Sequence, residues 1–151
     1  MLRVVLVHPQ IPPNTGNIAR TCAATATELH LVAPLGFEIS DRYLKRAGLD
    51  YWPYVKLQYH DNLAAFWQEY AKNPGKLIGY TVRGTTNYID CGYEDGDWLL
   101  FGSETQGLPP EVLAKCDYRA YISIAEPKVR SLNLSVSVAV GLFEAIRQVN
   151  H

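Results

Sequence analysis

Short apolar runs recur along this chain, and each one stops at glycine, proline or a small polar residue. RVVLV (3–7) ends at His-Pro and ELHLVAP (28–34) at proline, while KLIGYTV (76–82), DWLLFG (97–102) and YRAYISI (118–124) follow the same plan. Runs this short between turn formers are the mark of buried strands. VKLQY (55–59) alternates instead and suits an edge strand. Helical stretches fall between them. NTGNIARTCAAT (14–25) offers Asn14 or Thr15 as N-cap, DNLAAFWQEYAK (61–72) offers Asp61 or Asn62, and PPEVLAK (109–115) opens on proline. Strands alternating with helices predict an α/β fold, with a mainly parallel sheet flanked by helices. No repeat or linker divides the 151 residues, so a single domain over 1–151 is expected.

The end of the chain resists this procedure. In RSLNLSVSVAVGLFEAIRQ (130–148), the SVSVAV portion alternates as a strand does, whereas length and composition through GLFEAIRQ favour a helix. Ahead of it stand a cation, two hydroxyls and an amide: Arg130, Ser131, Ser135 and Asn133.

Composition narrows the class of protein. The formal net charge of −1 argues against coating nucleic acid by bulk electrostatics. A local basic patch is still open: Arg42, Lys45 and Arg46 in DRYLKRAG share one face of any helix there, as a solvated face would too. No apolar stretch approaches the roughly 20 residues that span a bilayer. The start, MLRVVLVHPQ, has too short an apolar core for a secretory signal. Three scattered cysteines (Cys22, Cys91, Cys116) fit a reduced cytoplasm, and no membrane association is expected. Four histidines without ligand spacing give no reason to expect a metal.

Open α/β sheets bind ligands beyond the carboxyl ends of their strands. Three loops rich in Gly, Pro and small polar groups fall there: HPQIPPNTGNIAR after the first strand, SETQGLPPE after DWLLFG, and AEPKVRSLNLS after YISI. FGSETQGLP brackets Glu104 with Gly102 and Gly107, which allows close approach of backbone to a flat ligand or simply a tight turn. It matches neither a phosphate loop nor a dinucleotide fingerprint. PPNTGNIAR brings Asn17 and Arg20 into the first turns of a helix, and Arg20 has the planar donor fork that suits phosphate. No nucleophile elbow or carboxylate pair stands out, which points to chemistry that relies on positioning.

Taken together and in this order, NTGNIAR, FGSETQGLP and RSLNLSVSVA resemble the three motifs of the SPOUT RNA 2′-O-ribose methyltransferases. The resemblance extends over nearly the whole chain, including HPQIPPNTGN and RAGLDYW, and is greatest to members acting on the wobble nucleotide of tRNA, cytidine or uridine 34. It implies a C-terminal deep trefoil knot, a homodimer, a tRNA substrate, and S-adenosylmethionine as cofactor, with S-adenosylhomocysteine as product and no metal. The implied catalytic residues are Arg20, Ser131 and Asn133. Tyr80, Thr81, Gly102, Glu104, Ile124, Ser131 and Leu132 would hold the cofactor, and Asn17, Arg20, Arg42, Lys45, Arg46 and Arg130 the RNA. Gln106 and Phe143 depart from the arginine and tyrosine of the pattern and bear on RNA specificity. Competing readings are another tRNA or ribosomal RNA site, and a non-catalytic RNA-binding module.

Overall fold

A computed structural model describes residues 1–40 and 50–150. The elements run β1 (Arg3–Val7), α1 (Pro12–Ala24), β2 (Glu28–Val32), β3 (Lys56–His60), α2 (Leu63–Lys72), β4 (Leu77–Tyr80), β5 (Thr86–Asn87), β6 (Trp98–Phe101), α3 (Pro110–Leu113), β7 (Tyr118–Tyr121) and α4 (Leu134–Val149). The described strands form one sheet in the order β3-β2-β1-β6-β4-β7-β5, and every neighbouring pair is parallel. A sheet of this kind has both faces covered, which is why its strands read as unbroken apolar runs. β1 shows it residue by residue. Val4 and Leu6 pack under α1 and α4, beside Ile18, Leu134, Val138 and Leu142. Val5 and Val7 face the other way, toward Phe66 of α2 and Val112 of α3. The expected α/β class holds, with helices on both faces, and VKLQY is an edge strand shifted by one residue.

One local expectation is corrected and one open reading is resolved. α1 begins at Pro12, not at Asn14 or Thr15, and its N-cap, Ile11, makes no side-chain hydrogen bond. Proline is tolerated in a first turn because the N–H it lacks has no partner there. The open question of SVSVAV resolves as helix. Asn133 caps α4, its Oδ1 accepting from the Ser135 N–H at 2.9 Å, and Leu134, Val138, Gly141, Leu142 and Ala145 form the buried stripe. In α2 the Asn62 Oδ1 accepts from Ala65 N–H at 2.8 Å, which selects Asn62 over Asp61 of the two caps expected. No described helix is long and apolar enough to cross a membrane.

Candidate active site

The loops that follow β1, β6 and β7 meet beyond the carboxyl ends of the sheet. The first leaves β1 at His8, which has a φ of 59°. It is pressed against Gly36, whose N–H donates to the Pro9 carbonyl at 2.9 Å. The second closes on itself. Gly107 N–H donates to Ser103 O at 3.0 Å, and Gln106 N–H to Ser103 Oγ at 3.1 Å. A Cβ on Gly102 would lie 1.9 Å from the Gly107 carbonyl carbon. The space that Gly102 leaves open is therefore filled by the loop's own backbone, a more local reason for glycine than ligand approach. Gly107 carries the turn with a φ of 71°, a region side chains rarely adopt.

A carboxylate and two amides tie the three loops together. Glu104 accepts from the backbone N–H groups of Gln10 and Ile11, each at 2.9 Å, and from Asn14 Nδ2 at 3.3 Å. Asn14 Oδ1 in turn accepts from Asn133 Nδ2 at 3.2 Å, and Asn133 Oδ1 takes the hydroxyl of Ser135 at 2.6 Å. Glu104 borders the cleft, yet its carboxylate is committed to the first loop. Asn14 was missed in the sequence, where it looked like a helix cap.

The second and third loops, together with Thr81–Arg83 after β4, line a cleft of about 610 Å³. All seven residues expected to hold the cofactor line it: Tyr80, Thr81, Gly102, Glu104, Ile124, Ser131 and Leu132, with Arg130 beside them. Leu108, Leu113, Ile122 and Leu134 add apolar surface, while Arg83 and Thr105, which the sequence did not single out, add polar groups. Tyr80 forms a fixed wall. Its ring stacks on Phe101 with centroids 4.3 Å apart and a 12° interplanar angle, and its hydroxyl meets that of Tyr93 at 2.6 Å. Burial pushes the Tyr80 phenol well above its ordinary value, so it stays protonated at neutral pH.

Asn17 and Arg20 sit on α1, are exposed, and do not line the cleft. The Arg20 guanidinium lies over the Tyr51 ring, 5.0 Å from its centroid. Ser131 and Asn133 are exposed at the entry to α4. Arg42, Lys45 and Arg46 lie outside the described residues. Two further features sit apart from the cleft. The thiols of Cys22, Cys91 and Cys116 are buried and free, and burial pushes all three up, to about 12 for Cys22 and about 11 for Cys116. On the opposite sheet face, His30 Nδ1 meets His60 Nε2 at 2.9 Å and His30 Nε2 meets Glu28 Oε1 at 3.0 Å.

Residues 1–143, which include the sheet, the interlocked loops at its carboxyl end and the cleft, match the SpoU rRNA Methylase family; the chain belongs to it. Among relatives, it is 46% identical over 149 residues to the tRNA (cytidine(34)-2'-O)-methyltransferase of Burkholderia ambifaria, covering 98% of this chain and 96% of that one. A solved structure described as giving insights into the 2-OH methylation of C/U34 on tRNA superposes with a TM-score of 0.93 at 48% identity, covering 98% and 95% of the two chains. The SpoU methyltransferase AviRb from Streptomyces viridochromogenes, in complex with the cofactor AdoMet, gives 0.88 at 25% identity, with 98% of this chain and 60% of that one covered.

Proposed function

We propose that this protein transfers a methyl group from S-adenosylmethionine to the 2′-hydroxyl of the wobble nucleotide of tRNA, cytidine or uridine 34. The observation that carries this is the near full-length likeness to proteins of that activity, with the cleft lined by two of the three loops that the sequence singles out and the third tied to them through Glu104 and Asn14. The cleft suits the cofactor. Apolar side chains around Tyr80 fit a flat heterocycle, and Thr81, Ser131, Arg83 and Arg130 offer donors for hydroxyls and a carboxylate. Bound there, the cofactor supplies an electrophilic methyl on a sulfonium and needs no metal.

The chain's own residues then have positioning work. Arg20 is kept off the cleft lining and exposed, free to grip a phosphate and orient the 2′-oxygen. With a pKa above roughly 12 it is a poor base. Ser131, on the cleft lining, and Asn17, on α1, are assigned to the ribose, as is Asn133, which caps α4 and holds Asn14. Aligning the reacting groups supplies several kcal/mol of barrier lowering. Arg130 would contact the RNA from the edge of the cleft, and Arg42, Lys45 and Arg46 are further candidate RNA contacts on the sequence alone.

The same proposal includes a single domain working as a cytoplasmic homodimer, with the C-terminal part threaded as a deep trefoil knot. Support for the knot is that residues 130–132 return to line the cleft beside 102–108. Support for the dimer is a line of apolar side chains on α4, where Val136 is 47% exposed and Phe143 54%.

The test is to incubate unmodified tRNA with the protein and S-adenosylmethionine, then map 2′-O-methyl groups. Methylation at nucleotide 34 is expected, and Arg20→Ala should lower it by orders of magnitude while cofactor affinity by calorimetry stays nearly intact. Methylation at another RNA position, or none, would overturn the assignment.

A further inference from the structure

We infer that Tyr51 is a positioning residue for Arg20, a shelf that holds the guanidinium in place while leaving its donors open for RNA. This rests on the role given to Arg20 above. The guanidinium carbon lies 5.0 Å from the Tyr51 ring centroid, within the range of cation–π attraction. An exposed arginine on a helix surface has many rotamers to sample, and a flat partner beneath the fork restricts them. The kind of partner matters. A carboxylate would occupy the in-plane N–H groups, which are the groups a phosphate needs. An aromatic ring engages only the face and leaves the in-plane donors available. Among the described residues Arg20 has no ion pair or side-chain hydrogen bond, consistent with that division of surfaces.

Tyr51 is itself well anchored. It is half-buried at the start of a 3-10 turn, Trp52–Tyr54, where its carbonyl accepts from Tyr54 N–H at 2.9 Å. The adjoining Trp52 packs against the core cluster that contains Ile18 and Ala19 of α1. Helix and shelf are thus fixed to one body, and Tyr51 lies 31 positions beyond Arg20 in the chain, outside all three loops.

The test is a double-mutant cycle on the whole protein, with tRNA as substrate and kcat, KM and cofactor affinity read separately. Tyr51→Leu should lower kcat by roughly three- to thirty-fold, between the loss of an exposed cation–π contact and the cost of a misplaced group. Cofactor affinity should not change. Tyr51→Phe keeps the ring face and should restore kcat to within about two-fold of the parent, since the attraction lies in the ring. In an Arg20→Ala background, Tyr51→Leu should cost nothing further. Independent, multiplicative losses in the double variant would overturn the inference. So would a Tyr51→Phe defect as large as that of leucine, or loss of cofactor binding in Tyr51→Leu, which would indicate a general structural role. Full activity of Arg20→Ala alone would instead remove the underlying role of Arg20, and the shelf with it.

Discussion

Asn133 donates from Nδ2 to the Oδ1 of Asn14 at 3.2 Å, joining two residues 119 positions apart in the chain. Asn14 also donates to Glu104, so one side-chain amide joins the first loop to the two that line the cleft. Replacing it should be felt in each.

Asn14→Ala removes both contacts from a nearly buried site and should cost about 1–3 kcal/mol in unfolding free energy, read from urea denaturation. Cofactor affinity should fall with it. Asn14→Asp retains the acceptor for Asn133 but sets a second carboxylate beside Glu104, and should bind cofactor more weakly than the alanine variant at neutral pH.

Gly102→Ala should abolish cofactor binding and lower the melting temperature together. The added methyl would lie 1.9 Å from Gly107 and 2.1 Å from Leu108 N, both backbone atoms, so the loop itself must open. Loss of binding with an unchanged melting temperature would mean that the methyl obstructs ligand space instead.

Strands were legible in the sequence because buried parallel strands are apolar at every position, and RVVLV and WLLF carry that signature without help. The short pair Thr86–Asn87 has no pattern of its own and exists as β5 only through its pairing with β7. SVSVAV was ambiguous because Val and Ser suit either structure locally; what settles it is the burial of Val138 and Leu142 between sheet and α1. Much of the cleft lining could be named in advance because the loops hold rare residue combinations. The link through Glu104 could not. Two of its donors are backbone N–H groups, which every residue except proline carries, and Asn14 resembles any cap.

Acid should destabilise the fold through the pair on the far face of the sheet. Burial lowers His30 below its ordinary 6.5, with the Glu28 hydrogen bond opposing and the neighbouring His60 and Arg3 adding to the effect. Burial likewise lowers His60, opposed by Glu69. The unfolded chain therefore binds more protons than the native one as pH falls through 6.5, and stability decreases until the native histidines protonate. Each proton taken up only on unfolding steepens the loss by about 1.4 kcal/mol per pH unit. Denaturant midpoints between pH 7.5 and 5 should show this slope, and His60→Gln should flatten it.

Phe143→Glu should give a monomer by sedimentation at micromolar concentration, since it puts a charge at the most exposed apolar side chain on α4. The unaltered protein should sediment as a dimer under the same conditions.

The grip of Glu104 on Gln10 and Ile11 has a consequence for how this loop can vary among descendants of the sequence. Because the carboxylate takes hold of amide hydrogens, the side chains at positions 10 and 11 are left free to drift, with proline the one residue excluded. Pro12 and Pro13 follow at once, so the pair of usable amides ends where the prolines begin, and inserting or deleting a single residue there would shift a proline into the carboxylate's reach or carry an amide out of it. Length, rather than spelling, is what this stretch has to preserve.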